Sequence, residues 1–235
     1  MNTFGRIVTL YLFFAMFFFG GKDFMPNIMT ENAVGGFVVG FFLWSVASGS
    51  VMSFPRYVSQ ESQWGTLEQV YLSKFDFGLI AAAELIVSIM VSLIFGGILL
   101  VLMLITTGVS INLDLITVIP ILLLTVCSGI GLGFILGGIT LIYKRIENLL
   151  GIINIGVIGL IAAPGDKYTP VNVLPLSLGS ELLQLTMNND MELWEIPSIL
   201  LLALVAKAIL YILVGYGIYK LAEKYSRKKG SMSDY

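Results

Sequence analysis

The residues able to carry chemistry in this chain are few and lie far apart in sequence. Histidine is absent and the single cysteine, Cys127, sits inside an apolar run. That leaves no imidazole base, no His–Cys metal set, no Ser-His pair and no disulfide within one chain. No Gly-x-x-x-x-Gly-Lys-Ser/Thr string occurs, and the Gly21-Lys22 pair is followed by Asp23, so a nucleotide finds no phosphate loop here. The chain is not expected to be an enzyme, to bind a metal or to hold a cofactor of its own. Two groups of residues remain. Glu84 and Lys207 are ionisable side chains within long apolar stretches, where each costs about 2.5–3.5 kcal/mol near a bilayer centre. They read either as an ion pair that packs helices or as groups on a substrate or ion path. The other group is the polar run Glu61-Ser62-Gln63-Trp64-Gly65-Thr66-Leu67-Glu68. Its carboxylates can accept charge-assisted hydrogen bonds from Lys or Arg of a partner, and a glycine lets a second backbone come close.

The elements that must hold these residues are apolar helices. Of the 235 residues 57% are hydrophobic and 12% charged, against roughly 45–50% and about 25% in ordinary soluble domains. A bilayer accommodates such a composition, because about 20 apolar helical residues span its core of roughly 30 Å. Six apolar stretches stand out, at roughly 7–25, 33–54, 78–106, 115–143, 148–163 and 196–221. They predict one all-α polytopic transmembrane domain over residues 1–235. The fifth stretch is short for a full span and needs completion by the segment after Pro164. The first is followed by Gly20, Gly21, Lys22 and Asp23 rather than by a cleavage pattern, and reads as a retained helix.

Charge sets the expected orientation. With the amino terminus in the cytoplasm, Arg6, Arg56, Lys74, Lys144, Arg145, Lys220, Lys224, Arg227, Lys228 and Lys229 lie inside, and Lys22 and Lys167 outside. That asymmetry is the positive-inside pattern, with both termini cytoplasmic. The net charge of -2 argues against a nucleic-acid partner.

Two polar segments interrupt the apolar pattern. Residues 56–75 are too polar to span, yet Trp64, Leu67 and Tyr71 share one helical face while Glu61 and Glu68 fall on another. This predicts a helix lying in the cytoplasmic interface. Residues 164–195 form an outer segment with Pro170, Pro175 and an amphipathic run from Leu176 to Leu185, too long for a structureless loop.

The string Glu61-Ser-Gln-Trp-Gly65-Thr66-Leu67-Glu68, between the second and third stretches, resembles the signature of the ABC type-2 exporter permeases. In that family Glu, three residues and Gly-Thr-Leu-Glu mark a coupling helix, which docks on the nucleotide-binding subunit. Tyr143-Lys144-Arg145 and Leu174-Pro175 are weaker matches. The chain departs from the family where Ser73 is followed by Lys74 rather than by Pro. The resemblance implies a cytoplasmic ABC ATPase partner that carries ATP and Mg, with Glu61, Trp64, Gly65, Thr66, Leu67 and Glu68 as the docking residues on a coupling helix over about 56–75. It also implies a second permease, identical or related, short re-entrant helices in the outer loop, and a place in a prokaryotic plasma membrane. A rival reading is an ion-coupled carrier or channel with Glu84 and Lys207 as its relay. Gly36 with Gly40, and Gly129, Gly133 and Gly137, stand at helix-packing spacing, within one subunit or between two. Phe13, Phe14, Phe17, Phe18 and Phe19 read as core or lipid-facing aromatics.

Overall fold

The structure, a computed structural model, describes residues 3–24, 31–66, 69, 74, 77–143, 147–162, 173–188 and 191–228. Among these there is no strand. Seven helices follow in order: α1 (Thr3–Phe24), α2 (Glu31–Gln63), α3 (Phe77–Thr107), α4 (Leu115–Tyr143), α5 (Glu147–Ala162), α6 (Ser177–Asn188) and α7 (Ser198–Lys228). The described residues of each of the six apolar stretches fall largely on a helix, and α6 is the seventh. Four helices carry segments long and apolar enough to cross a membrane: Ala33–Gln63, Ile80–Thr107, Leu115–Tyr143 and Ser198–Ser226. Among the described residues the apolar parts of α1 and α5, Gly5–Gly21 and Asn148–Ile161, are shorter.

Helix ends follow from local chemistry. Asp114 caps α4: its carbonyl accepts from the Val118 amide at 2.8 Å and its carboxylate from the Ile116 amide at 3.2 Å, satisfying donors that the first turn would otherwise leave open. At the other end of α3, Gly108 adopts φ 69° and its amide donates to the Leu104 carbonyl at 2.9 Å, a left-handed stop that costs glycine little.

The middle of the bundle is α2 and α4. The best apolar window of α2 is 83% buried, whereas that of α7 is 17% buried. α7 therefore forms a rim, packed along α4 and otherwise presenting apolar side chains such as Leu202, Leu210 and Leu213 outward. In lipid such faces cost nothing, and helix association rests on close packing rather than on hiding apolar surface. The glycines of α4 supply it on two faces. A Cβ on Gly133 would lie 2.8 Å from the Val51 carbonyl oxygen, and one on Gly137 would strike the Phe54 ring. Pro55 cannot donate to that Val51 carbonyl, four residues back, so the bare edge of α4 meets α2 where its backbone ladder is broken. On the other face a Cβ on Gly131 would strike the Tyr211 carbonyl of α7, and one on Gly215 of α7 would strike Gly131. The Gly129, Gly133 and Gly137 row thus packs within the subunit.

The Gly36 and Gly40 pair behaves differently. Nothing stands within 4 Å of a Cβ placed on Gly40, and both glycines line an open space rather than a helix contact. The α1 aromatics divide between the two expected roles. Phe14 and Phe18 are buried and stack 5.9 Å apart, with Phe14 also 5.4 Å from Phe37 of α2, while Phe13, Phe17 and Phe19 face outward.

Candidate docking turn and the short helix α6

The candidate site is built where α2 stops. Residues 56–63 continue α2 without interruption, so the expected separate helix does not begin at residue 56: α2 runs into the motif and stops at Gly65, and most of 67–75 lies outside the described residues. Gly65 has φ 70°. Its amide donates to the Ser62 carbonyl at 3.3 Å, the Thr66 amide reaches back to the Glu61 carbonyl at 3.1 Å, and the Trp64 amide donates to Gln60 at 2.9 Å. The first two bonds are the pair that defines a Schellman stop with glycine at C′. The Thr66 hydroxyl closes the turn further by donating to the Glu61 carboxylate. Glycine is therefore required by the turn itself, before any partner is considered. Leu67, Glu68 and Tyr71 lie outside the described residues, and Gln69 is helical.

The turn has one seated side and one bare side. Val58, Ser59 and Ser62 are buried, while Gln60, Gln63, Gly65 and Trp64 are exposed, the indole at 69%. Nothing lies within 4 Å of a Cβ position on Gly65. Behind the turn, Phe54 of α2 packs edge-on against Phe134 of α4 at 5.1 Å and Tyr219 of α7 at 5.0 Å. Lys220 pairs with the largely buried Glu223 at 3.1 Å on the same end of α7. Sequence reasoning missed this aromatic knot, since aromatics spread through apolar spans carry no pattern that marks which of them meet.

Glu84 and Lys207 are not brought together. Glu84, half-buried near the start of α3, stands near Tyr57 of α2, whereas the carboxylate whose charge reaches Lys207 is Glu181 of α6. The charge pair expected from sequence is corrected accordingly, because α3 packs on α2 and α1 while α7 packs on α4.

At the opposite end of the bundle, α6 is 12 residues long, with Leu178, Leu182, Leu183 and Met187 buried among α4, α2 and α5. Its first residues lie against the middle of α4. The Leu176 amide donates to the Ser128 hydroxyl at 3.2 Å, and a Cβ on Gly179 would strike Thr125. Leu176 itself has φ 71°, a conformation that costs a branched side chain about 1–2 kcal/mol and that the Ser128 bond and full burial hold in place. Tyr211 of α7 donates to the Val173 carbonyl at 2.7 Å. The Ser180 hydroxyl satisfies the Ile161 carbonyl at the end of α5 at 2.8 Å. The far end of α6 reaches the start of α2, where Asn188 lies 2.7 Å from a Cβ position on Gly35. Between α2, α5 and α6 lies an apolar cavity of about 160 Å³, floored by Phe37, Phe41 and Trp44 and edged by Gly36, Gly40, Ile158, Ile161 and Gln184. Among the described residues no group of His, Cys, Asp or Glu side chains could hold a metal ion. No known family model matches the chain, and no curated protein matches it.

Proposed function

We propose that the chain is the transmembrane permease subunit of an ATP-driven ABC exporter, working with a separate cytoplasmic ATPase and a second permease. The observation that carries this reading is the motif-bearing turn at Glu61–Thr66, exposed on one side and fixed on the other to the most buried helix of the bundle. ATP and Mg belong to the partner subunit. The part assigned to this chain is mechanical: an ATPase closing on nucleotide displaces the Trp64–Gly65 turn, and α2 transmits that displacement as a rod. The glycine contacts of α4 and the Phe54–Phe134–Tyr219 knot pass it to α4 and α7. At the outer side α6 acts as a re-entrant half-helix that covers the mouth of the path and moves with α4 through Ser128. Residues 56–66 face the cytoplasm in this reading, as the distribution of Lys and Arg requires.

The decisive experiment is reconstitution with a candidate cytoplasmic ABC ATPase, comparing wild type with Glu61→Lys and Trp64→Ala. Glu61 lies in the last turn of α2 and Trp64 just beyond it, so both variants should insert normally. The expected result is loss of ATPase retention or of substrate-stimulated hydrolysis, with transport lost alongside. Full transport by both variants, or transport driven by an ion gradient with no ATPase present, would replace this reading with an ion-coupled carrier.

A further inference from the structure

Away from the coupling turn, Arg6 reaches from α1 into a notch between α2 and α3 that is built from a missing side chain. Gly49 of α2 has no Cβ, and the Arg6 Nη2 lies 2.8 Å from where one would stand, with the Ser92 hydroxyl of α3 closer still. The walls are otherwise apolar, formed by Ile7, Leu10, Phe95 and Leu99. Ser92 is only 4% exposed. Unlike Ser45 beside it, which donates to the Phe42 carbonyl at 2.8 Å, Ser92 has no hydrogen-bond partner among the described residues. Arg6 is half-buried, and no carboxylate among the described residues pairs with it. The charge that reaches it is a second cation, Arg56. A half-buried guanidinium, a second cation and the Ser92 hydroxyl together offer hydrogen-bond donors and positive charge suited to an anion.

We propose that this notch is a phosphate-binding site, occupied by the headgroup of an anionic phospholipid in the leaflet at the amino end of α1. The space beyond Arg6 is about 10 Å³, room for a single oxygen, so one phosphate oxygen enters between Arg6 and Ser92 while the remainder stays at the interface. The other guanidinium nitrogens and Arg56 meet the outer oxygens, in the fork geometry that suits arginine to phosphate. The first turn of α1 contains no acidic residue, so nothing there repels an anion, and its free amides favour one. Basic pockets between helices at the cytoplasmic face are where anionic headgroups bind. The proposal is independent of the exporter reading, since it concerns α1–α3 and not the coupling turn.

The test is native mass spectrometry of the detergent-purified protein titrated with phosphatidylglycerol, with diacylglycerol lacking phosphate, and with inorganic phosphate. Phosphatidylglycerol should bind wild type and diacylglycerol should not. Arg6→Gln should weaken phosphatidylglycerol binding about 10-fold or more and Ser92→Ala about 5-fold, as expected for losing a charged and a neutral hydrogen bond to an anion. Ser92→Ala removes an unpaired atom without filling the notch, so it folds even if the Arg6 variant does not. Competition by millimolar inorganic phosphate would identify free phosphate as the occupant, and its failure to compete a lipid. Phosphatidylglycerol binding unchanged by Ser92→Ala and by any foldable Arg6 variant overturns the site.

Discussion

At the residue scale, Gly65 has a role in the turn that is separate from the proposed docking. Gly65 is held at positive φ by two backbone bonds to the last turn of α2, so Gly65→Ala should cost about 1 kcal/mol and Gly65→Asn less, because Asn tolerates that conformation. Comparing thermal stability with ATPase retention separates the two roles. If Asn restores stability but not retention, the bare face is needed for contact; if it restores both, glycine serves only the turn. The intramembrane charges make a second prediction. The carboxylate whose charge reaches Lys207 is Glu181 of α6. A double-mutant cycle of Glu181→Gln with Lys207→Met should show a coupling of about 0.5–3 kcal/mol, whereas Glu84→Gln with Lys207→Met should be additive within about 0.5 kcal/mol. Coupling in the second cycle alone would revive the relay that the arrangement of α3 and α7 argues against.

Elements are held together by glycines used in opposite ways. A methyl group at Gly131 would drive α4 into the backbone of α7, so Gly131→Ala should lower stability by about 1–3 kcal/mol, the cost of overpacking. Gly151 of α5 has nothing within 4 Å of its Cβ position. There the same change should be neutral or stabilising by up to about 1 kcal/mol, since alanine is the better helix former. Unfolding both variants in one detergent checks the pair, and equal losses would mean that α4 and α7 are not in backbone contact. The short helix α6 makes a related case. Ser128→Ala strands the Leu176 amide at its deep end and should destabilise by about 1–3 kcal/mol. Transport, if governed by α6, should fall further than stability accounts for.

For the whole molecule, α1 and α3 run antiparallel to α2, and α4 runs parallel to it. The Trp64 turn, the Lys220–Glu223 pair and the start of α3 lie toward one end, and α6 with Trp194 toward the other. Accessibility labelling in a Cys127→Ser background should find Gln63→Cys reachable from the cytoplasm only and Trp194→Cys from outside only. Both positions are exposed, whereas Ser62, one residue earlier, is buried at 1% and would report nothing. Labelling of Gln63→Cys from outside intact cells would reverse the orientation and with it the proposed docking side.

Sequence by itself determined the helical class, the six apolar stretches and the place of the polar turn, because apolar content, charge asymmetry and a Gly-Thr step act locally or by simple addition. It also placed Gly129, Gly133 and Gly137 on a packing face, since their spacing is a property of one helix. Which helix that face meets was left to the fold. So were the continuation of α2 through residues 56–63, the partner of Lys207, the cavity at Gly36 and Gly40, and the notch at Arg6. In a chain so apolar throughout, nearly every helix face can be buried or lipid-facing at similar cost. The pairing of faces then rests on backbone approach and on a few polar bonds between residues distant in sequence, such as Leu176 with Ser128, and no local pattern encodes them.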